Sequence, residues 1–244
     1  MARHSSMRID MNDPRLPILP FDAPSYIRQL WQRLTELFKA QRPAAGWKDL
    51  EGPIIAARVG ATKPPTWAQI IDGIYGYKFV SNDDEQVWMY FHIPHDIAFS
   101  FEREDGSVQG LTLYPHVHWM SEGTDTGTVR FGIEYTYAKG YTTAAFPNST
   151  TIYLEQASDG TALKHNIIET TDDNAITDDT FETDGLLLVR VFRNGTHAND
   201  TLTDDVFITF VDMHYYSDGL NTNERNRNNT AGELPWTKKE QFLS

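Results

Sequence analysis

Residues 111–138 read LTLYPHVHWM, SEGTDTGT and VRFGIEYTYA in succession. Apolar residues occupy the odd positions of both outer runs, and polar residues such as Thr112, His116 and Glu134 occupy even positions. This period-two alternation predicts two β-strands, each with one buried and one solvated face. Because a loop rich in Gly, Asp and Thr joins them, we expect the two strands to pair in antiparallel fashion, with a register set by the apolar face.

Further alternating runs along the chain predict eight strands in all. Their ranges are 75–80, 86–93, 111–120, 129–138, 149–155, 164–170, 186–193 and 206–216. Short strands separated by turn-rich loops, without helices between them, indicate a sandwich or a barrel, and eight strands fit a double-sheet jelly roll. The predicted fold class is therefore all-β, a jelly-roll-like antiparallel β-sandwich.

One segment before these strands has the period of an amphipathic helix, and it covers residues 25–41. Its apolar stripe consists of Ile27, Leu30, Trp31, Leu34 and Phe38. Such a stripe packs either on its own sandwich or on a neighbouring subunit, and the second alternative makes these five residues partner-binding. Residues 66–74 predict a helical turn or a short helix.

These patterns divide the chain into four parts. Residues 1–24 are polar and punctuated by proline, which predicts an extended N-terminal arm. Residues 25–74 hold the helix and a connector, residues 75–216 form the β-sandwich domain, and residues 217–244 form a polar tail.

Composition excludes several classes of function. Lys plus Arg number 21 against 34 Asp plus Glu, a net charge of −13, which argues against nucleic acid as a partner. The chain has no cysteine, so it has neither disulfides nor thiolate metal sites. No apolar run approaches the length of a membrane span, and the N-terminus lacks the apolar region of a secretory signal.

One motif has the spacing of metal ligands. Gly110, His116, His118 and Glu122 spell G-x5-H-x-H-x3-E, which resembles the first half of the cupin metal motif. Two histidines at i and i+2 face the same way from a strand, and a nearby carboxylate completes a site. His214 on the last predicted strand is a further candidate ligand.

The rest of the cupin pattern is missing. Val129 stands where the motif ends in glycine, and no Pro-x-Gly turn followed by a histidine precedes His214. We therefore expect no metal and interpret His116 and His118 as residues on the solvent- or subunit-facing side of the sheet. There they would lie opposite Arg130 or Glu134 of the neighbouring strand.

Other catalytic and ligand-binding signatures are absent from the sequence. The acidic stretch 172–184 lacks the spacing of a calcium loop, so we interpret it as a solvated loop. The chain has no G-x-S-x-G, no P-loop and no G-x-G-x-x-G. The sequence thus predicts a protein without catalytic residues and without a cofactor.

Three segments resemble structural proteins of tailed bacteriophages. They are WKDLEGPIIAARVGATKPPTW at 47–67, LYPHVHWM at 113–120 and TVRFGIEYTYAKG at 128–140, with weaker similarity in VFITFVDMHYY at 206–216. The resemblance implies a short helical segment before a jelly-roll body that forms part of a head, neck or tail.

From this resemblance we expect a non-enzymatic virion protein, made in the host cytoplasm, that serves as a decoration, adaptor or fibre-attachment subunit. Its expected partners are other virion proteins and copies of itself, with a trimer favoured by analogy with virion jelly rolls. Two alternatives remain. One is a cupin-like metal-dependent enzyme that uses His116, His118, Glu122 and His214, and the other is a carbohydrate-binding module, suggested by six Trp and eleven Tyr.

Overall fold

The computed structural model describes residues 25–40, 46–98, 100–102, 107–140, 145–178, 181–217 and 219. The predicted N-terminal arm lies outside these residues, as does the predicted tail apart from Ser217 and Gly219. The chain divides into two compact units, Met1–Ala44 and Ala45–Ser244. Within the described residues, no helix is both long and apolar enough to cross a membrane.

The first unit contains the predicted helix, α1, at Ser25–Ala40. Within its predicted stripe, Ile27 and Trp31 are half-buried. Leu30 and Leu34 are exposed. The side chain of Phe38 lies outside the described residues. Whether the stripe packs on its own sandwich or on a neighbouring subunit stays a prediction.

The second unit is built from short strands. In chain order they are β1 Gly46–Leu50, β2 Arg58–Val59, β3 Thr66–Ile71, β4 Ile74–Phe79, β5 Gln86–His92, β6 Ser100–Glu102, β7 Val108–Gly110, β8 Thr112–Ser121, β9 Thr128–Ala138, β10 Thr150–Ala157, β11 Asn166–Glu169, β12 Ile176–Thr177, β13 Leu186–Arg193 and β14 Val206–Ser217. A turn of 3-10 helix at Ile54–Ala56 follows β1. All eight strands predicted from alternation are present, with ends shifted by at most two residues.

The strands form two antiparallel sheets that pack as a sandwich. The first sheet has the order β11-β8-β14-β4-β3, with β1 also paired to β14 and β12 to β8. The second has the order β10-β9-β13-β5-β2, and β6 and β7 form a separate hairpin. If the eight predicted strands are numbered 1 to 8 along the chain, the sheets read 6-3-8-1 and 5-4-7-2. This order is the connectivity of a jelly roll, which confirms the predicted fold class.

The predicted pairing of β8 with β9 is wrong. β8 lies in the first sheet and β9 in the second, so the loop between them crosses the sandwich. Trp119 of β8 and Phe131 of β9 are fully buried and meet edge-to-face across the core, with ring centroids 6.0 Å apart. Alternation correctly identifies the buried face of each strand, but it does not identify the neighbouring strand.

The predicted cross-strand partners of the histidines are wrong for the same reason. Glu134 of β9 accepts a hydrogen bond from Nε of Arg190, its neighbour on β13. Arg130 of β9 forms an ion pair with Glu155 of β10. Neither residue lies opposite His116 or His118.

The last part of the connector differs from the prediction. The stretch predicted as a helical turn or short helix is instead strand β3 of a hairpin with β4. Asp72 and Gly73 form its turn, with φ of 43° and 85°. Positive φ at both central residues is the requirement of a type I′ turn, which Asp-Gly satisfies well. Because β1, β2 and β3 all belong to the two sheets, the sandwich begins at Gly46.

Candidate functional site

Pairing between the two longest strands of the first sheet brings several polar side chains together. His116 on β8 lies directly opposite Asp212 on β14, and His214 lies opposite Tyr114. Side chains two residues apart on a strand share a face, so His118 joins His116 on the outer side of the sheet. His116, His118, Asp212 and His214 are called the histidine cluster below.

A β-bulge in β14 determines which of its residues face outward. The register between β14 and β8 shifts between Ile208 and Phe210. Before the shift, Val206 and Ile208 are buried in the core, whereas after it the buried residues are Val211 and Met213. One extra residue therefore reverses the alternation and turns Asp212 to the outer face.

Three members of the cluster point ligand atoms at one another. Nε2 of His118 lies 3.5 Å from Oδ2 of Asp212, and Nε2 of His116 lies 3.8 Å from the same oxygen. One ligand atom from each of the three residues lies within 4.8 Å of the other two. The site is largely shielded from water, because the side chains of His116, Asp212 and His118 are 3%, 10% and 19% exposed.

The opposite atom of each side chain has a neighbour of its own. Nδ1 of His118 lies 2.8 Å from Nε2 of His165. Oδ1 of Asp212 accepts a hydrogen bond of 2.6 Å from the backbone N–H of Gly52. Nδ1 of His116 lies 3.5 Å from the carbonyl oxygen of Tyr114. These contacts orient the two rings and the carboxylate. They leave Nε2 of His116, Nε2 of His118 and Oδ2 of Asp212 facing one another.

One of these inward atoms lacks a hydrogen bond. Nε2 of His118 is buried and has no hydrogen-bond partner among the described residues. Oδ2 of Asp212 lies 3.5 Å away but is not a hydrogen-bond partner of this nitrogen. Burial, and then the neighbouring His116, lower the pKa of His118, so the neutral imidazole is favoured. When Nδ1 carries the proton and donates it to His165, a lone pair remains on Nε2.

His214 covers this group rather than joining it. Its ring stacks on that of His116 with centroids 4.2 Å apart. Its Nε2 lies 3.0 Å from Oδ1 of Asp49, and its Nδ1 contacts a carboxylate oxygen of Glu169. A nitrogen of His214, an oxygen of Asp49 and a nitrogen of His116 also lie within 4.8 Å of one another. Both nitrogens of His214 already face carboxylates, however, so this second grouping offers fewer free ligand atoms.

The structure separates Glu122 from the other proposed ligands. β8 ends at Ser121, and the carboxylate of Glu122 lies 3.1 Å from Nζ of Lys78. The same lysine lies 3.3 Å from Asp205. Burial lowers the pKa of Lys78, but its hydrogen bonds to Glu122 and Asp205 together outweigh this and raise the pKa. Of the alternative ligand set, the structure therefore brings together only the histidines, which are His116, His118 and His214. Asp212 supplies the carboxylate instead.

The acidic stretch 172–184 shows no convergence of ligands. Asp172 accepts a hydrogen bond of 2.7 Å from the Tyr114 hydroxyl, and Asp184 lies 3.0 Å from Nε2 of His95. Among the described residues of this stretch, no three potential ligands lie close enough to share an ion.

A second surface feature is apolar. The hairpin of β3 and β4, here called the aromatic hairpin, exposes Trp67, Ile71, Ile74 and Tyr75, which are between 47% and 61% exposed. Trp67 stacks on Tyr75 with centroids 6.4 Å apart and meets Tyr77 edge-on at 5.0 Å. Because β3 ends its sheet and pairs only with β4, its other edge carries backbone groups without a strand partner in the described chain.

Comparison with known proteins adds no identification. No protein-family model matches the chain, and no curated protein is detectably similar to it.

Proposed function

We propose that the protein is a non-enzymatic structural subunit of a virion that acts as a decoration, adaptor or fibre-attachment protein through protein–protein contacts. The observation that supports it best is the aromatic hairpin at the free edge of the first sheet. Single exposed apolar residues are common, but contiguous ones on an edge strand are a liability unless another chain covers them. The virion context rests on the resemblance of the sequence to tailed-phage structural proteins.

The proposed partner at this edge is a second copy of the chain. An unpaired strand edge is complementary to another strand, and the side chains of Trp67 and Ile74 would add apolar contact area. In a cyclic trimer, the β3 edge of each copy would meet a different surface of the next copy, so that all three β3 edges are covered. The trimer remains the favoured form by analogy with virion jelly rolls. The exposed stripe residues Leu30 and Leu34 of α1 supply a second proposed contact, to the same or another virion protein.

The oligomeric mass of a variant in the aromatic hairpin tests this proposal. Ile74→Asp places a charge on a residue that is 61% exposed, so the isolated fold should be preserved. We expect light scattering to give a trimer for the natural protein and a monomer for the variant, with unchanged circular dichroism. Tyr90→Asp is the matched control, because Tyr90 is 67% exposed on β5 of the other sheet.

Two results would contradict the proposal. One is a natural protein that stays monomeric at high concentration and is absent from purified particles. The other is an Ile74→Asp variant with the same mass as the natural protein.

A further inference from the structure

We propose that Nε2 of His116, Nε2 of His118 and Oδ2 of Asp212 bind one divalent transition-metal ion, with Zn²⁺ the favoured ion. The inference is independent of the assembly proposed above, because all three ligands come from strands β8 and β14 of one chain.

Two of the three separations between the ligand atoms are close to those around a tetrahedral ion. Ligand bonds of 2.0–2.1 Å at tetrahedral angles place neighbouring ligand atoms roughly 3.3 Å apart. The observed separations from Oδ2 of Asp212 are 3.5 Å to His118 and 3.8 Å to His116.

The contacts behind the ligands are those that a metal site requires. A histidine ligand generally donates its other N–H to a neighbouring acceptor, which fixes the tautomer and the orientation of the ring. Nε2 of His165 is placed to accept from His118, and the carbonyl of Tyr114 is placed to accept from His116. The backbone N–H of Gly52 holds the carboxylate of Asp212 at its other oxygen.

The buried Nε2 of His118 gives a second, independent reason. Buried polar atoms are nearly always hydrogen-bonded, and each exception calls for a physical explanation. This nitrogen is buried without a hydrogen bond among the described residues, and it faces a carboxylate at 3.5 Å. A cation between them would give Nε2 of His118 a partner and would balance the negative charge of the Asp212 carboxylate.

The chemistry of the ligands selects the class of ion. Two imidazoles and one carboxylate suit zinc, cobalt, nickel or iron, whereas magnesium and calcium prefer oxygen ligands throughout. Three protein ligands leave a fourth position for water or another small ligand. An ion held here would link β8 to β14 and, through Asp212 and Gly52, to the segment that follows β1.

Metal binding to the full-length protein tests the proposal. After treatment with a chelator and dialysis, the protein is titrated with Zn²⁺ by calorimetry, and separately with Co²⁺ under visible spectroscopy. We expect one Zn²⁺ per chain, a raised thermal midpoint of unfolding, and the absorption bands of four-coordinate Co²⁺.

Four variants locate the ligands. We expect His118→Ala and Asp212→Asn to lower Zn²⁺ affinity more than tenfold, and His165→Ala to lower it about 10–100-fold by removing the acceptor behind His118. His197→Ala, which removes an exposed histidine elsewhere, is the matched control and should bind as the natural protein does.

His214→Ala separates the two possible groupings. It should retain Zn²⁺ if His116, His118 and Asp212 are the ligands, and lose it if Asp49, His116 and His214 are. Loss of binding in His214→Ala together with full binding in His118→Ala would overturn the proposal. So would a natural protein that takes up less than one Zn²⁺ per chain and leaves the Co²⁺ spectrum that of the aqueous ion.

Discussion

Two buried polar clusters of the described residues differ in how completely their hydrogen bonds are made. Around Arg193 every guanidinium nitrogen donates: Nε and Nη2 to Asp200 at 3.0 and 2.8 Å, and Nη1 to the carbonyl of Asp204 at 2.7 Å. The side chains of the ion pair between Arg193 and Asp200 are both fully buried. In the histidine cluster, by contrast, Nε2 of His118 has no hydrogen bond among the described residues.

This difference separates a structural network from a candidate binding site. A completed network rigidifies the fold, and nothing further is needed to balance its charges. In the histidine cluster, neighbouring groups contact Nδ1 of His118, Nδ1 of His116 and Oδ1 of Asp212. The other ligand atom of each of these side chains faces the other two, which is the arrangement of a candidate binding site. The predictions below test whether the two clusters respond differently to substitution.

The largest effect is expected from breaking the completed network. Asp200→Ala would leave the fully buried guanidinium of Arg193 without its counter-charge. We expect this to lower the free energy of unfolding by about 3–5 kcal/mol, because one uncompensated buried charge remains. Urea denaturation measures the change, which should be the same with and without Zn²⁺.

Asp159→Ala is the control for this prediction. Asp159 pairs with Lys164, and both side chains are 48% exposed. An exposed ion pair contributes little to stability because solvent screens it, so the change should be small. Similar losses of stability in the two variants would contradict the contrast between buried and exposed pairs.

A smaller effect is expected at Asp212 in the absence of metal. Asp212→Ala removes the acceptor of the Gly52 backbone N–H and should lower the free energy of unfolding by about 1.5–3 kcal/mol. Asp212→Asn keeps an acceptor oxygen of the same shape and should lose less. The order of the two variants in urea denaturation of chelator-treated protein checks this, and an alanine variant as stable as the asparagine variant would contradict it.

A third polar group, at Asp96, makes stability depend on pH. Burial raises the pKa of Asp96, but hydrogen bonds from Lys48, Ser217 and Tyr215 outweigh this and hold the pKa below its ordinary value. A carboxyl whose pKa is lower in the folded than in the unfolded protein stabilises the fold at pH values above the unfolded pKa, which is 3.8. This stabilisation is lost as the pH falls through the folded pKa.

Asp96→Asn tests this dependence. We expect the natural protein to be more stable than the variant by about 1–2 kcal/mol at neutral pH, from the lost charge-assisted hydrogen bonds. The difference should shrink as the pH falls below 3.8. A difference that is constant with pH would show that Asp96 does not titrate in the way described.

Much of the fold follows from local patterns. Alternation identifies the strands because each has one face in the core, and the observed bounds of β13 equal the predicted 186–193. The pairing of β8 is not predictable in this way, since its neighbour β14 follows some ninety residues later in the chain. The aromatic hairpin had a local signal, the dipeptide Asp72-Gly73, that outweighs the apparent helical spacing around it.

The candidate site is only partly predictable for the same reason. The spacing of His116 and His118 places both on one face of a strand. The alignment of Asp212 with them depends on a long-range pairing and on the bulge near Phe210, and neither leaves a clear mark in the sequence. Spacing along the chain suggested Glu122 as the carboxylate, but distance along the chain is a poor guide once a strand has ended.

The smallest effect on stability is expected at Glu122. A substitution there also tests whether motif spacing or the geometry of the fold identifies the carboxylate ligand. Its carboxylate is exposed and pairs only with Lys78 among the described residues, and Lys78 keeps Asp205 as a second partner. Glu122→Gln should therefore lower the free energy of unfolding by less than about 1 kcal/mol, and added salt should reduce even that. Zn²⁺ affinity measured by calorimetry should not change. A loss of Zn²⁺ binding in this variant would favour the alternative ligand set that contains Glu122, because a residue outside the histidine cluster has no other route to the ion.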